Sequence, residues 1–190
     1  MDILTIGLGT IGSTYSYLFN KAGHNVEHYI RKSSKKINIT ELNVDMLDGR
    51  NNKKGDHYTD TYKVNTHTKD NYDFIFISMP AGNIESIIET LNSNNIKGTI
   101  ILCCGIWEDK KYLEKVMQGR EYILGYPVAG GNIVDATLTC CVFDHFILEK
   151  KENSKIDNYD KLVDLFESCN IKLETPYDML EWIWLHMAIN

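Results

Sequence analysis

The 190-residue chain has no apolar run long enough to cross a membrane. It also shows no leader-like segment, because the short apolar run after Asp2 ends at once in a glycine turn. Its cysteines, Cys103, Cys104, Cys140, Cys141 and Cys169, form no CxxC pair, and His24, His28, His57, His67 and His145 show no metal-ligand spacing, so no metal is expected. Basic charge is not in excess: the formal net charge of −6 excludes general affinity for nucleic acid. Internal repeats and low-complexity tracts are lacking as well. These absences leave a cytoplasmic globular protein with no nucleic-acid or membrane partner. Its cysteines are expected to stay reduced as small buried hydrophobes, the two members of each adjacent pair facing opposite sides of a strand. The length suits one full α/β domain and is short for two.

What is present begins at Gly7-Leu8-Gly9-Thr10-Ile11-Gly12, directly after the apolar run Ile3-Leu4-Thr5-Ile6 and directly before a helix-like stretch. A dinucleotide site needs the first glycine for a tight turn, the second for close approach of the backbone to the pyrophosphate, and the third for helix packing on the strand. The phosphates then lie on the free N–H groups at the helix start, here those of Thr10, Ile11 and Gly12.

Apolar runs alternate with helix-like stretches along the chain, the pattern of a Rossmann-type, doubly wound, mostly parallel sheet. Strands are expected at Asp2 to Ile6, Val26 to Ile30, Phe74 to Ser78, Thr99 to Cys103, Tyr122 to Gly125 and Ile171 to Leu173. Helices are expected at Ile11 to Ala22, after Asn83 as N-cap through Ile84, Ile87, Ile88 and Leu91, at Glu108 to Met117, at Asn158 to Ser168 and from Tyr177 onward. Residues 37–68 read as a strand pair or looser insertion with a turn at Asp48-Gly49, and Ala136 to Leu148 as a long β stretch or hairpin. Gly130-Gly131 reads as a turn, the alternative being a close approach of the backbone to substrate. The domain expected is residues 1–175, with 176–190 as the start of a truncated interdomain helix.

In a site for NAD an acidic residue at the end of the second strand binds the ribose. Here that strand ends in Arg31-Lys32-Ser33-Ser34-Lys35-Lys36, where Arg31, with Lys32 beside it, can clamp a 2′-phosphate, so NADP (NADPH) is the expected cofactor. The plainer alternative, a solvated charged loop, stays open. Ser78, Met79 and Pro80, at the carboxyl end of a central strand, lie where open α/β sheets bind ligands, or else form a plain strand-to-helix turn.

Gly7 to Gly12, Ala22-Gly23-His24, Arg31, Asp73 to Ser78 and the tail Trp184-Leu185-His186-Met187-Ala188-Ile189-Asn190 together resemble the N-terminal domain of ketopantoate reductases. The resemblance implies a Rossmann domain followed by a helical domain that supplies dimer contacts, hence a possible homodimer, and part of the substrate site. It implies reduction of a 2-oxo acid by NADPH, with a lysine after the Rossmann domain serving the developing alkoxide. By the same resemblance Cys104-Gly105 falls where the family has an Asn-Gly pair near the nicotinamide, Pro80 where it has a lysine, and His186 where it has the catalytic lysine. The helical domain is missing, and the chain looks like an offshoot of the family.

A reductase needs a proton donor near the oxygen that becomes negative, and histidine titrates in the right range. His186 and Asn190, four apart on one helix face with Trp182 a turn earlier, could together hold a carbonyl or carboxylate. Alternatively Trp182, Leu185, His186 and Ile189 are the buried face of a packing helix. Three readings follow: an NADPH-dependent oxidoreductase acting on a small carbonyl substrate, a non-catalytic NADP-binding sensor, or a dehydrogenase of the opine or imine reductase kind.

Overall fold

The computed structural model describes residues 1–189. Its elements are β1 (Asp2–Ile6), α1 (Thr10–Lys21), β2 (Asn25–Tyr29), β3 (Glu41–Asp48), β4 (Asp56–Lys63), β5 (Asn71–Ile77), α2 (Ile84–Ser93), β6 (Lys97–Leu102), α3 (Lys110–Met117), β7 (Tyr122–Val134), β8 (Thr137–Leu148), α4 (Tyr159–Ser168), β9 (Lys172–Glu174) and α5 (Met179–Ile189). The nine strands form one sheet in the order β2-β1-β5-β6-β7-β8-β3-β4, with β9 on β8. All pairings are parallel except the two hairpins, β7 with β8 and β3 with β4.

The central strands are apolar runs because each of their faces meets a separate core. Ile3, Phe74, Phe76, Ile101, Cys103 and Ile123 join the cluster around α1 and α4, whereas Leu4, Ile75, Ile77, Ile100, Leu102, Cys104 and Leu124 join the cluster under α2, α3 and α5. The expectation for Cys103 and Cys104 holds, since both are buried and one enters each core. Around α1 the packing is aromatic: Tyr15 stacks on Phe76 at 5.4 Å between centroids and meets Phe146 edge-on at 5.5 Å.

The sheet departs from an open doubly wound one by curling around α1. Helix α1 is buried continuously from Gly12 to Phe19, and its polar residues are used inward: Ser16 Oγ lies 2.6 Å from Thr5 Oγ1, and Thr14 Oγ1 donates to Thr10 O at 2.9 Å. The chain after β4 returns to β2, where His28 N–H donates to Asn65 O at 2.8 Å and His67 N–H to His28 O at 3.0 Å. Glu27 fastens the same return, accepting from Thr68 N–H and Thr68 Oγ1 at 2.7 Å and from Tyr72 OH at 2.6 Å.

Two local expectations are corrected. Gly130-Gly131 is no turn but the middle of the 13-residue β7. Gly131, at φ +145°, lies so close to β8 that a Cβ would collide with the Thr139 carbonyl, which requires glycine there, whereas a Cβ on Gly130 would make an ordinary 3.7 Å contact with Cys141 Sγ. The hairpin turns instead at Asp135 and Ala136, both at positive φ. Asn83 occupies the N-cap position of α2 without capping it, because its Nδ2 donates back to Pro80 O at 3.4 Å.

Candidate functional site

At the end of β1 the chain turns through Gly7, whose φ of +82° is a left-handed value that glycine adopts without strain. A Cβ on Gly7 or Gly9 would meet nothing within 4 Å, so both face open space, whereas one on Gly12 would stand 2.9 Å from Thr5 Cγ2. The third glycine is therefore a packing requirement, whereas the first two leave the backbone of the turn open to approach. The first bond into α1 runs from Ser13 N–H to Gly9 O at 2.9 Å. Helix geometry leaves the N–H groups of Thr10, Ile11 and Gly12 without intrahelical partners, and they point to the positive end of the helix dipole. This turn fits a pyrophosphate.

The turn is braced by His28, which is fully buried in β2. Its Nδ1 is 2.9 Å from Gly7 O and its Nε2 is 2.8 Å from Tyr62 OH. A carbonyl only accepts, so Nδ1 carries the proton and Nε2 accepts from the tyrosine. Burial pushes the imidazole down to about 4, with the Gly7 bond opposing, so it is neutral near pH 7. Sequence reasoning gave His28 no part in the site. The only available signal was its parity with Val26 on the strand, which turns both side chains inward.

Arg31 and Lys32 are exposed just past β2. Among the described residues neither they nor Lys35 and Lys36 form an ion pair with a carboxylate. Beyond them Lys36 Nζ lies 2.8 Å from Leu8 O, inside the glycine turn, a contact the sequence did not disclose.

At the same edge of the sheet, directly after β5, Ser78 and Met79 are half-buried and Pro80 is exposed. Cys104 follows β6; burial pushes its thiol up to about 11, and it packs into the α2–α3–α5 core. Gly105 is overlain by α5: a Cβ there would lie 3.1 Å from Met187 Sδ.

Helix α5 buries Met179 and Ile183, while Leu185 and Ile189 are 63% and 75% exposed, so the expected buried face of Trp182, Leu185, His186 and Ile189 is corrected. Instead the His186 ring stacks on Trp182 at 4.9 Å and 10°, and both meet Tyr126 of β7, at 4.6 Å and 5.2 Å between centroids. Sequence spacing paired Trp182 with His186 but gave no sign of Tyr126. Asn190 lies outside the described residues.

The family model described as Ketopantoate reductase PanE/ApbA matches residues 3–126, from β1 into β7. The chain belongs to that family. No curated protein sequence matches the chain. Among solved structures, 2-dehydropantoate 2-reductase from Geobacter metallireducens GS-15 superposes with a TM-score of 0.73 at 15% identity, covering 100% of this chain and 62% of that one. The dimeric ketopantoate reductase from Staphylococcus aureus gives 0.68 at 12% identity, over 100% of this chain and 60% of that one. D-mandelate dehydrogenase, solved with NADH and anilino(oxo)acetate, gives 0.70 at 17% identity, over 100% and 61%. The present ketopantoate reductase-family chain thus spans about three fifths of the length of these relatives.

Proposed function

We propose that the chain is an NADPH-dependent oxidoreductase that reduces the carbonyl of a small 2-oxo acid or related compound. The observation that carries the reading is that the glycine turn after β1 and Gly105 after β6 lie at the same carboxyl edge of parallel strands, with Met187 of α5 against Gly105 and His186 one residue earlier on that helix. The names of the structural relatives, ketopantoate reductase and D-mandelate dehydrogenase, support the same class of reaction.

In this reading Gly7, Gly9, Thr10, Ile11 and Gly12 hold the pyrophosphate through backbone N–H groups, and Arg31 with Lys32 holds the 2′-phosphate. Ser78, Met79, Pro80 and Gly105 border the nicotinamide end, and Cys104, buried in the core, supports them from within. Bound NADPH supplies hydride to the carbonyl carbon. His186 donates a proton, or a hydrogen bond, to the oxygen that becomes negative, a part that histidine fills in place of the family lysine. The stack with Trp182 and the edge of Tyr126 fix the ring plane, so the donor is oriented before substrate arrives.

The test is NADPH consumption by the full chain with a panel of 2-oxo acids, aliphatic and aromatic. At least one should give substrate-dependent turnover that His186→Ala reduces. A chain that binds NADPH yet consumes none with any member of the panel overturns the oxidoreductase reading in favour of a binding module.

A further inference from the structure

The loop after β2 is built to hold Lys36 in one place. Ser34 N–H donates to Arg31 O at 2.9 Å, Ile37 N–H to Ser34 O at 3.2 Å and Ile39 N–H to Lys36 O at 3.1 Å, so successive turns stitch the segment together. Ile37 and Ile39 pack against the α1 core and pin the loop from below. A merely solvated lysine run would have neither feature. The outcome is that Lys36 Nζ sits 2.8 Å from Leu8 O, between the first two glycines, with no carboxylate partner among the described residues.

An ammonium has three donors, and the Leu8 carbonyl occupies one. The other two remain for a ligand. Lys36 belongs to the loop after β2, the strand whose end holds the adenosine ribose in a dinucleotide site, and its contact is to Leu8 O, ahead of the start of α1. We propose that Lys36 is a second 2′-phosphate ligand, oriented by the Leu8 carbonyl, that acts with Arg31 to select NADP over NAD. The inference rests on the NADP reading above and adds a selectivity residue to it. Arg31 is exposed and free to swing, whereas Lys36 is half-buried and already in position, so the two divide the task into capture and placement.

The test is titration of the full chain and of Lys36→Met with four nucleotides, NADPH, NADH, 2′,5′-ADP and ADP, followed by calorimetry. Lys36→Met should weaken NADPH and 2′,5′-ADP by about 10-fold, as expected for loss of a charge-assisted hydrogen bond, and leave NADH and ADP unchanged. Lys36→Arg should restore most of the loss. Equal weakening of all four would overturn the proposal, because Lys36 would then act on the turn itself. A preference for NADPH that Lys36→Met leaves undiminished would overturn the proposal alone, and failure of the wild type to bind any of the four would overturn the NADP reading with it.

Discussion

His28 ties the glycine turn to the closing edge of the sheet, donating from Nδ1 to Gly7 O at 2.9 Å while its Nε2 receives Tyr62 OH at 2.8 Å. The turn is thus supported from within the curl. The protonation of one buried ring is linked both to folding and to the shape of the nucleotide loop.

That linkage sets a pH dependence. Burial holds His28 at about 4 in the fold, below the 6.5 of an exposed imidazole. Between those values the unfolded chain binds the extra proton, so stability is fully present above pH 6.5, falls as pH drops toward 4, and loses no more on this account below 4. The full loss is about 3 kcal/mol. His24 is also lowered, chiefly by burial and then by the N-terminal ammonium, and acts in the same direction. Denaturant unfolding from pH 7.5 to about pH 4 should therefore show a flatter profile for His28→Gln than for wild type, and parallel profiles would remove His28 from the account.

Two glycines of one motif should fail differently. Gly12→Ala places a methyl 2.9 Å from Thr5 Cγ2 and should cost about 1–3 kcal/mol of stability. Gly9→Ala meets no protein atom within 4 Å and has an ordinary φ of −85°, so it should leave the unfolding midpoint unchanged while weakening NADPH. Chemical denaturation and nucleotide titration of both variants check the contrast.

Glu27 fastens the return from β4 onto β2 and is 6% exposed. Burial alone would raise its carboxyl, but bonds from Tyr72 and Thr68 outweigh that and hold it below the usual range. Glu27→Ala strips three donors of their acceptor and should destabilise the fold by about 2–4 kcal/mol. Hydrogen exchange should locate the loosening at Asn65 to Thr68, and protection there equal to wild type would contradict the closure described for the sheet.

His186→Ala should lower turnover by about 100-fold or more, the usual worth of a positioned acid, with NADPH affinity unchanged. Trp182→Leu should lower turnover less and chiefly by loosening the ring, so the pH profile of the remaining activity should keep the wild-type shape. Unchanged turnover in His186→Ala would end its catalytic assignment.

The elements legible in the sequence were those whose pattern is local. Ile84, Ile87, Ile88 and Leu91 carry a helical period, and Phe74 to Ile77 form a run that only a strand covered on both faces tolerates. The curl was illegible because it depends on where residues 64–67 go after β4, a long-range contact with no periodic mark. The β7–β8 hairpin was misread at Gly130-Gly131 because glycine marks close backbone approach as readily as a turn. At the site, the glycine turn and Arg31 could be read from motif and position. Lys36, His28 and Tyr126 could not, since each gains its place from a partner distant in sequence: Leu8, Tyr62 and Trp182.

The central claim, a nucleotide site selective for NADP at the end of β2, is tested most directly by the ratio of NADH to NADPH dissociation constants for wild type and Arg31→Ala. The account predicts a ratio of about 100 for wild type, from the arginine and lysine contacts together, falling to about 10 in the variant through loss of NADPH affinity alone. A ratio near or below unity for wild type, or one untouched by Arg31→Ala, would contradict it.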